Sequence, residues 1–162
     1  MDIARQLVII PEKKIVGLNT RTSNEVEMAA GPKGNIATLW QQFFKQNFRD
    51  TLANKLSDHV YAIYTQYESD HTGPYSLIIG HEVIDFTNAP DGTSPIVVAP
   101  GNFLKFTAPD NNPAAVLTLW QHIWQFFQNN KDFKRSYSTD FELYDFERSK
   151  QLEIYIAIER VQ

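Results

Sequence analysis

The hexapeptide Thr139-Asp140-Phe141-Glu142-Leu143-Tyr144 sets an acid among aromatic and aliphatic neighbours in a stretch that reads as a strand. Side chains alternate along an extended chain, so Ser138, Asp140, Glu142 and Tyr144 share one face, and Phe141 and Leu143 share the other. If the first face meets water, Glu142 is an ordinary surface carboxylate, and the spacing fits that equally well. Inside an aromatic cleft, desolvation would disfavour its charge unless hydrogen bonds or a cation compensate. An organic cation would restore the balance while resting on Tyr or Trp rings, each contact being worth about 0.5–2 kcal/mol. The candidate lining residues are Tyr61, Tyr64, Tyr75, Tyr144 and Tyr155, with core packing or pairing on a sheet face as the competing account for each. Trp40 and Trp120 read as core residues of helical stripes, whereas Trp124, one turn further on, reaches toward the cleft. Glu82, at the end of Gly80-His81-Glu82-Val83, is a second acidic candidate or a surface residue.

Other chemistries find little support. There is no cysteine among the 162 residues, which excludes disulfides, thiolate catalysis and Cys-based zinc sites. The four histidines are scattered without metal-ligand spacing, and Glu68, Asp70 and His71 in one loop read as a solvated hairpin tip. Gly31-Pro32-Lys33-Gly34 lacks the glycine spacing and Lys-Ser/Thr ending of a phosphate-binding loop, and no G-x-S-x-G elbow occurs. No cofactor or metal is implied. A net charge of −4 with no basic cluster argues against direct contact with nucleic acid. The apolar run Leu7–Ile10 is too short for a signal peptide or a membrane span, so the cytoplasm is the default address.

The elements that would position these groups are legible through an internal repeat. Thr38-Leu39-Trp40-Gln41 recurs as Thr118-Leu119-Trp120-Gln121, an offset of 80 residues. Carried downstream, that offset sets Tyr61 against Phe141, Tyr64 against Tyr144, Tyr75 against Tyr155 and Ala62 against Glu142. Ile36, Leu39, Trp40 and Phe43 form one face of a helix over about 35–48, with Gly34-Asn35 as its expected cap and Asn35 as the side-chain acceptor. A second helix runs over about 113–128, with Asn112 as cap and Pro113 at its first position. Strands are expected over 60–67 and 75–83 in the first copy and over 137–144 and 152–158 in the second. A further strand precedes each helix, over 14–22 and 101–107. The joint lies in Asn88–Thr93. The expected fold is therefore α+β, a single 162-residue domain of two β-α-β-β repeats (about 13–87 and 95–161) sharing one antiparallel sheet, with both helices packed on it and a central ligand cleft.

The double β-α-β-β order, the Leu-Trp helices, the Tyr-x-x-Tyr strand with its acidic hairpin ending in Gly73-Pro74-Tyr75, and the Phe141–Tyr144 strand resemble the effector-binding domains of AraC/MerR-type regulators. That superfamily includes the gyrase-inhibitor-like (GyrI-like) proteins, and the stand-alone effector-binding proteins of integron cassettes are the most similar in pattern. The resemblance spans about Lys13 to Val161 and implies binding of amphipathic, often cationic, drug-like molecules, with a buried glutamate at Glu142 as charge partner. It maps aromatic contacts to Tyr61, Tyr64, Tyr144 and Tyr155. About a dozen residues precede the first expected strand, too few for the helix-turn-helix that such regulators carry, so direct transcriptional activation by this chain alone is not expected. Two alternatives accompany the binding reading. One is a small-molecule hydrolase of the GyrI-like type, with Glu142 as general base. The other is an interaction module, either a gyrase inhibitor or the sensor half of a two-chain regulator with a protein partner.

Overall fold

A computed structural model describes residues 2–160; Val161, the expected end of the second repeat, lies outside them. Strands β1 (Ala4–Ile10) and β2 (Lys13–Thr22) lead into helix α1 (Asn24–Ala30), a 3-10 turn at Gly31–Lys33, helix α2 (Asn35–Gln46) and a single turn α3 (Phe48–Thr51). The hairpin β3 (Val60–Thr65) and β4 (Tyr75–Glu82) closes the first half. The second half runs β5 (Ser94–Val98), β6 (Gly101–Ala108), α4 (Pro113–Asn129), β7 (Phe133–Arg135), β8 (Thr139–Tyr144) and β9 (Leu152–Arg160).

The α+β architecture is as expected, and the sheet adds to it. Its order is β1-β6-β9-β8-β3-β4-β2-β5, with the short β7 also paired to β9. The order is symmetric about the β3–β8 seam. Each half sends its leading strand across to the far edge, β1 onto β6 of the second half and β5 onto β2 of the first. Helices α2 and α4 cover one face of the sheet, where Leu39, Phe43, Leu119 and Ile123 join Val60, Leu77, Ile79, Leu152, Ile154 and Ile156 in the larger core. The other face carries a smaller apolar layer that includes Ile15, Ile63, Ile78, Phe103 and Phe141.

Two sequence expectations change. Gly34, not Asn35, stands at the head of α2 and supplies no side-chain acceptor. The carboxylate of Glu27, on α1, accepts from the backbone amides of Asn35 (3.2 Å) and Ile36 (2.9 Å) and serves as the cap from a distance. The repeat offset is also not constant. Twelve residues separate Tyr64 from its partner Leu77, but only seven separate Tyr144 from Leu152. Gly80 lies opposite Tyr61 while Tyr155 lies opposite Phe141, so β9 follows β4 by 75 residues rather than 80. An odd slip inverts every side chain. Tyr75 and Tyr155 are therefore not equivalents; they sit on opposite faces of the sheet. At the helix over 113–128 the expectation holds, because Asn112 accepts from the Ala115 amide at 2.9 Å and Pro113 is the first residue.

One backbone contact shows how tightly the first half is drawn in. Gly17 pairs with Gly80, and a Cβ on Gly80 would lie 1.9 Å from the carbonyl oxygen of Val16. That neighbour is backbone inside a ladder and cannot step aside. Gly80→Ala should therefore lower unfolding stability by at least about 2 kcal/mol, read as a shifted urea midpoint; an unchanged midpoint would show that β2 and β4 can separate freely.

Candidate functional site

Glu142 stands near the middle of β8, directly opposite Ala62 of β3 at the seam. Its side chain is on the helix-covered face, and the residue is 1% exposed. Three neutral donors reach it. Tyr64 Oη and Trp120 Nε1 donate to Oε2, and Tyr144 Oη donates to Oε1, each at 2.7 Å. Among the described residues no Lys, Arg or His lies within salt-bridge distance of it. Burial raises its pKa above the usual carboxylate value, and the three hydrogen bonds only partly oppose that rise. The same burial, with the adjacent acid, holds the Tyr64 and Tyr144 phenols well above their ordinary value, so both remain donors. The result is a carboxylate stripped of water and given hydrogen bonds but no counter-charge.

A cleft of about 840 Å³ opens over this group. One wall is α2, through Ile36, Trp40 and Phe44; the opposite wall is α4, through Val116, Trp120 and Trp124. The floor is Tyr64, Tyr75, Glu142 and Tyr144 from the central strands. Helix α1 closes one end with Asn24, Glu27 and Met28. It is pinned there, since Asn24 accepts from Tyr75 Oη (2.8 Å) and donates to the His71 carbonyl (2.9 Å). Rings are stacked from the floor outward: Tyr144 lies parallel to Phe146 at 4.9 Å, and Trp40 stacks on Phe44 at 5.7 Å. Met28, Phe44, Leu117 and Phe146 leave an exposed apolar rim.

Of the residues singled out from sequence, Glu142, Tyr64, Tyr75, Tyr144 and Trp124 meet at this cleft. Tyr61, Tyr155 and Glu82 do not. Tyr61 donates to Glu82 (3.3 Å), which also faces Lys13, and Tyr155 donates to Glu153 (3.0 Å), all on the far side of the sheet. The physical reason is strand alternation: Tyr61 is three residues from Tyr64, and Glu82 shares its face with Gly80 opposite Tyr61. Trp120 is buried in the larger core and Trp40 packs against it, as expected, and both also line the cleft, so all three tryptophans of the chain are there. Sequence reasoning also missed Tyr67, Arg135 and α1. A usable signal existed for Trp120. An indole N–H buried in a helical stripe needs an acceptor, and Glu142, already singled out as an acid among rings, is the one it finds.

The half-exchanged sheet with two helices over a ligand-sized cleft defines an effector-binding fold. The chain belongs to the family of integron-associated effector binding proteins, Cass2, which matches residues 6–158. It is similar to the Vibrio cholerae integron cassette protein VCH_CASS2, at 29% identity over 96% of this chain and 95% of that one, with a TM-score of 0.81. The fold also matches SAV2435 bound to tetraphenylphosphonium, at 18% identity over 96% and 94% of the two chains and a TM-score of 0.78. The EcmrR C-terminal domain matches at 14% identity over 99% and 100%, with a TM-score of 0.61. No curated protein sequence matches the chain. Among the described residues no helix is long and apolar enough to cross a membrane.

Proposed function

We propose that the chain acts as one unit that binds amphipathic organic cations in the cleft, with Glu142 as the charge partner and Tyr64, Tyr75, Tyr144 and the tryptophans as the aromatic enclosure. The observation that carries this reading is the enclosed carboxylate with three neutral donors and no cation of its own. A ligand cation supplies what the protein withholds, and in a desolvated site that attraction is far stronger than in water. The cleft volume falls within the roughly 300–1,000 Å³ of small-molecule sites. SAV2435, similar in fold, binds tetraphenylphosphonium, a lipophilic cation of the expected kind. Binding is favoured over hydrolysis because three donors already occupy most of the acceptor positions of Glu142, whereas a general base must turn a lone pair toward the water it activates.

The test compares tetraphenylphosphonium with tetraphenylborate, nearly the same shape with opposite charge. All three tryptophans report on the cleft, so fluorescence quenching follows occupancy directly. The phosphonium should bind and the borate should not; equal affinity, or no affinity for either, overturns the reading. The pH dependence has a defined sign. A cation favours ionised Glu142, whose pKa in the empty protein is raised by burial. Proton and ligand then compete below that pKa, and the association constant should fall by up to about tenfold per pH unit there, staying flat above it. An affinity that does not weaken on acidification would remove the carboxylate from the site.

A further inference from the structure

The cleft holds a second polar group beside the first. Asp140 precedes Glu142 by two residues on the same strand face, which puts their Cα atoms about 7 Å apart. Its carboxylate is fully buried and occupied: Oδ1 accepts from the Ala157 amide (2.9 Å), and Oδ2 accepts from Tyr67 Oη (2.6 Å) and Arg135 Nη2 (2.7 Å). Arg135 is not occupied to the same degree. It meets Asp140 through one nitrogen, although a guanidinium carries five N–H donors in a planar fork. No described residue accepts from Nε or Nη1, and Nε is buried. The guanidinium lies 4.3 Å over the Tyr137 ring, which leaves only its in-plane edges for hydrogen bonding. Its side chain is 4% exposed, and it lines the cleft. Arg135 is therefore a buried donor with unspent capacity, held by Asp140, which lies two residues from Glu142 on the same strand.

We propose that Arg135 donates to the ligand, and that the cleft selects organic cations carrying a neutral hydrogen-bond acceptor (an amide, ester or ketone oxygen) on an arm that leads from the cationic centre. This rests on the cation reading above and narrows the ligand class. Charge decides that the acceptor is neutral. Arg135 and Asp140 cancel, and Glu142 and Glu27 leave the cleft negative, which the cationic centre offsets in part. A carboxylate on the arm would add a further negative charge to a site already holding three acids, Glu27, Asp140 and Glu142. A hydrogen bond to a charged donor is worth roughly tenfold in affinity or more.

Three ligands with one phosphonium head separate the outcomes: pentyl-, carbamoylbutyl- and carboxybutyl-triphenylphosphonium. The quantity read is how much the amide arm gains over the pentyl arm. That gain should be at least about tenfold greater in the wild type than in Arg135→Met/Asp140→Asn, which removes the fork without changing net charge. Arg135→Lys, which keeps the charge opposite Asp140 and loses the fork, should fall between them and replaces the double variant if the latter does not fold. The carboxylate arm should bind the wild type less tightly than the amide arm. An amide gain that is the same with and without the fork overturns the assignment to Arg135, and a carboxylate that binds tightest overturns the neutral acceptor. If the pentyl compound binds and either of these results is found, only the arm is wrong. If none of the three binds the wild type, the cation reading itself falls and this inference with it.

Discussion

Glu142→Gln should weaken tetraphenylphosphonium binding by roughly 30-fold or more, because truncating one member of a desolvated charge pair costs about 2–5 kcal/mol. Glutamine keeps the shape, and its one carbonyl oxygen can still accept from Tyr64 and Trp120 while its amide nitrogen donates to Tyr144 Oη, so the cleft outline is retained while its charge is lost. The empty variant should also be at least as stable as the wild type at neutral pH. The sign follows from linkage. A carboxyl whose folded pKa is raised contributes stability that is fully present below its unfolded pKa and is lost as pH rises through the folded pKa. Above its folded pKa the wild type has lost that contribution, and the amide has none to lose. Urea unfolding at neutral pH and near pH 4.5 should show the variant's relative advantage shrinking as the wild-type acid protonates. A variant that binds the phosphonium as well as wild type, at unchanged fold by circular dichroism, would take the charge out of recognition.

Arg135→Met carries the second large effect, on stability. Asp140 is wholly buried, and Arg135 is the cation it touches. Removing the guanidinium strands an ionised carboxylate with only Tyr67 and the Ala157 amide, an imbalance that typically costs about 3–5 kcal/mol. Adding Asp140→Asn should recover most of the loss, since a buried pair replaced whole is often nearly neutral. The cycle is read by denaturant midpoints of the two singles and the double. Additive losses in the double variant would mean that the pair is not an energetic unit.

How far the sequence discloses this molecule depends on whether a feature is local. The helices over 35–48 and 113–128 were readable because a stripe of Leu, Trp and Ile at helical spacing has one solution. Glu142 stood out because an acid on a strand flanked by rings has few comfortable environments. The edge strands β1 and β5 were missed because their partners lie in the opposite half of the chain, and no short-range pattern records such a pairing. The unequal turns, five residues apart in register, misled the alignment of Tyr75 with Tyr155. Tyr61 and Tyr64 are a different case. Strict alternation already separates residues three apart, and applying it would have sent Tyr61 to the far face without a structure. Arg135 was invisible for a further reason. Next to Lys134 and ahead of an expected strand it reads as half of a solvated surface pair until Asp140, five residues on, is seen to be enclosed.

The seam where Ala62 faces Glu142 has a consequence for how such a site can exist at all. The pseudo-twofold axis passes between these two residues, which occupy equivalent places in the two copies. A half-length chain pairing with itself would put identical side chains there, either two methyl groups or two acids on adjoining strands. The first carries no charge to offer. In the second, mutual repulsion would hold one proton on the pair, spreading a single negative charge over two carboxyls. Joining both copies in one polypeptide lets that single position diverge, so that one carboxylate stands on the symmetry axis with a methyl group opposite it.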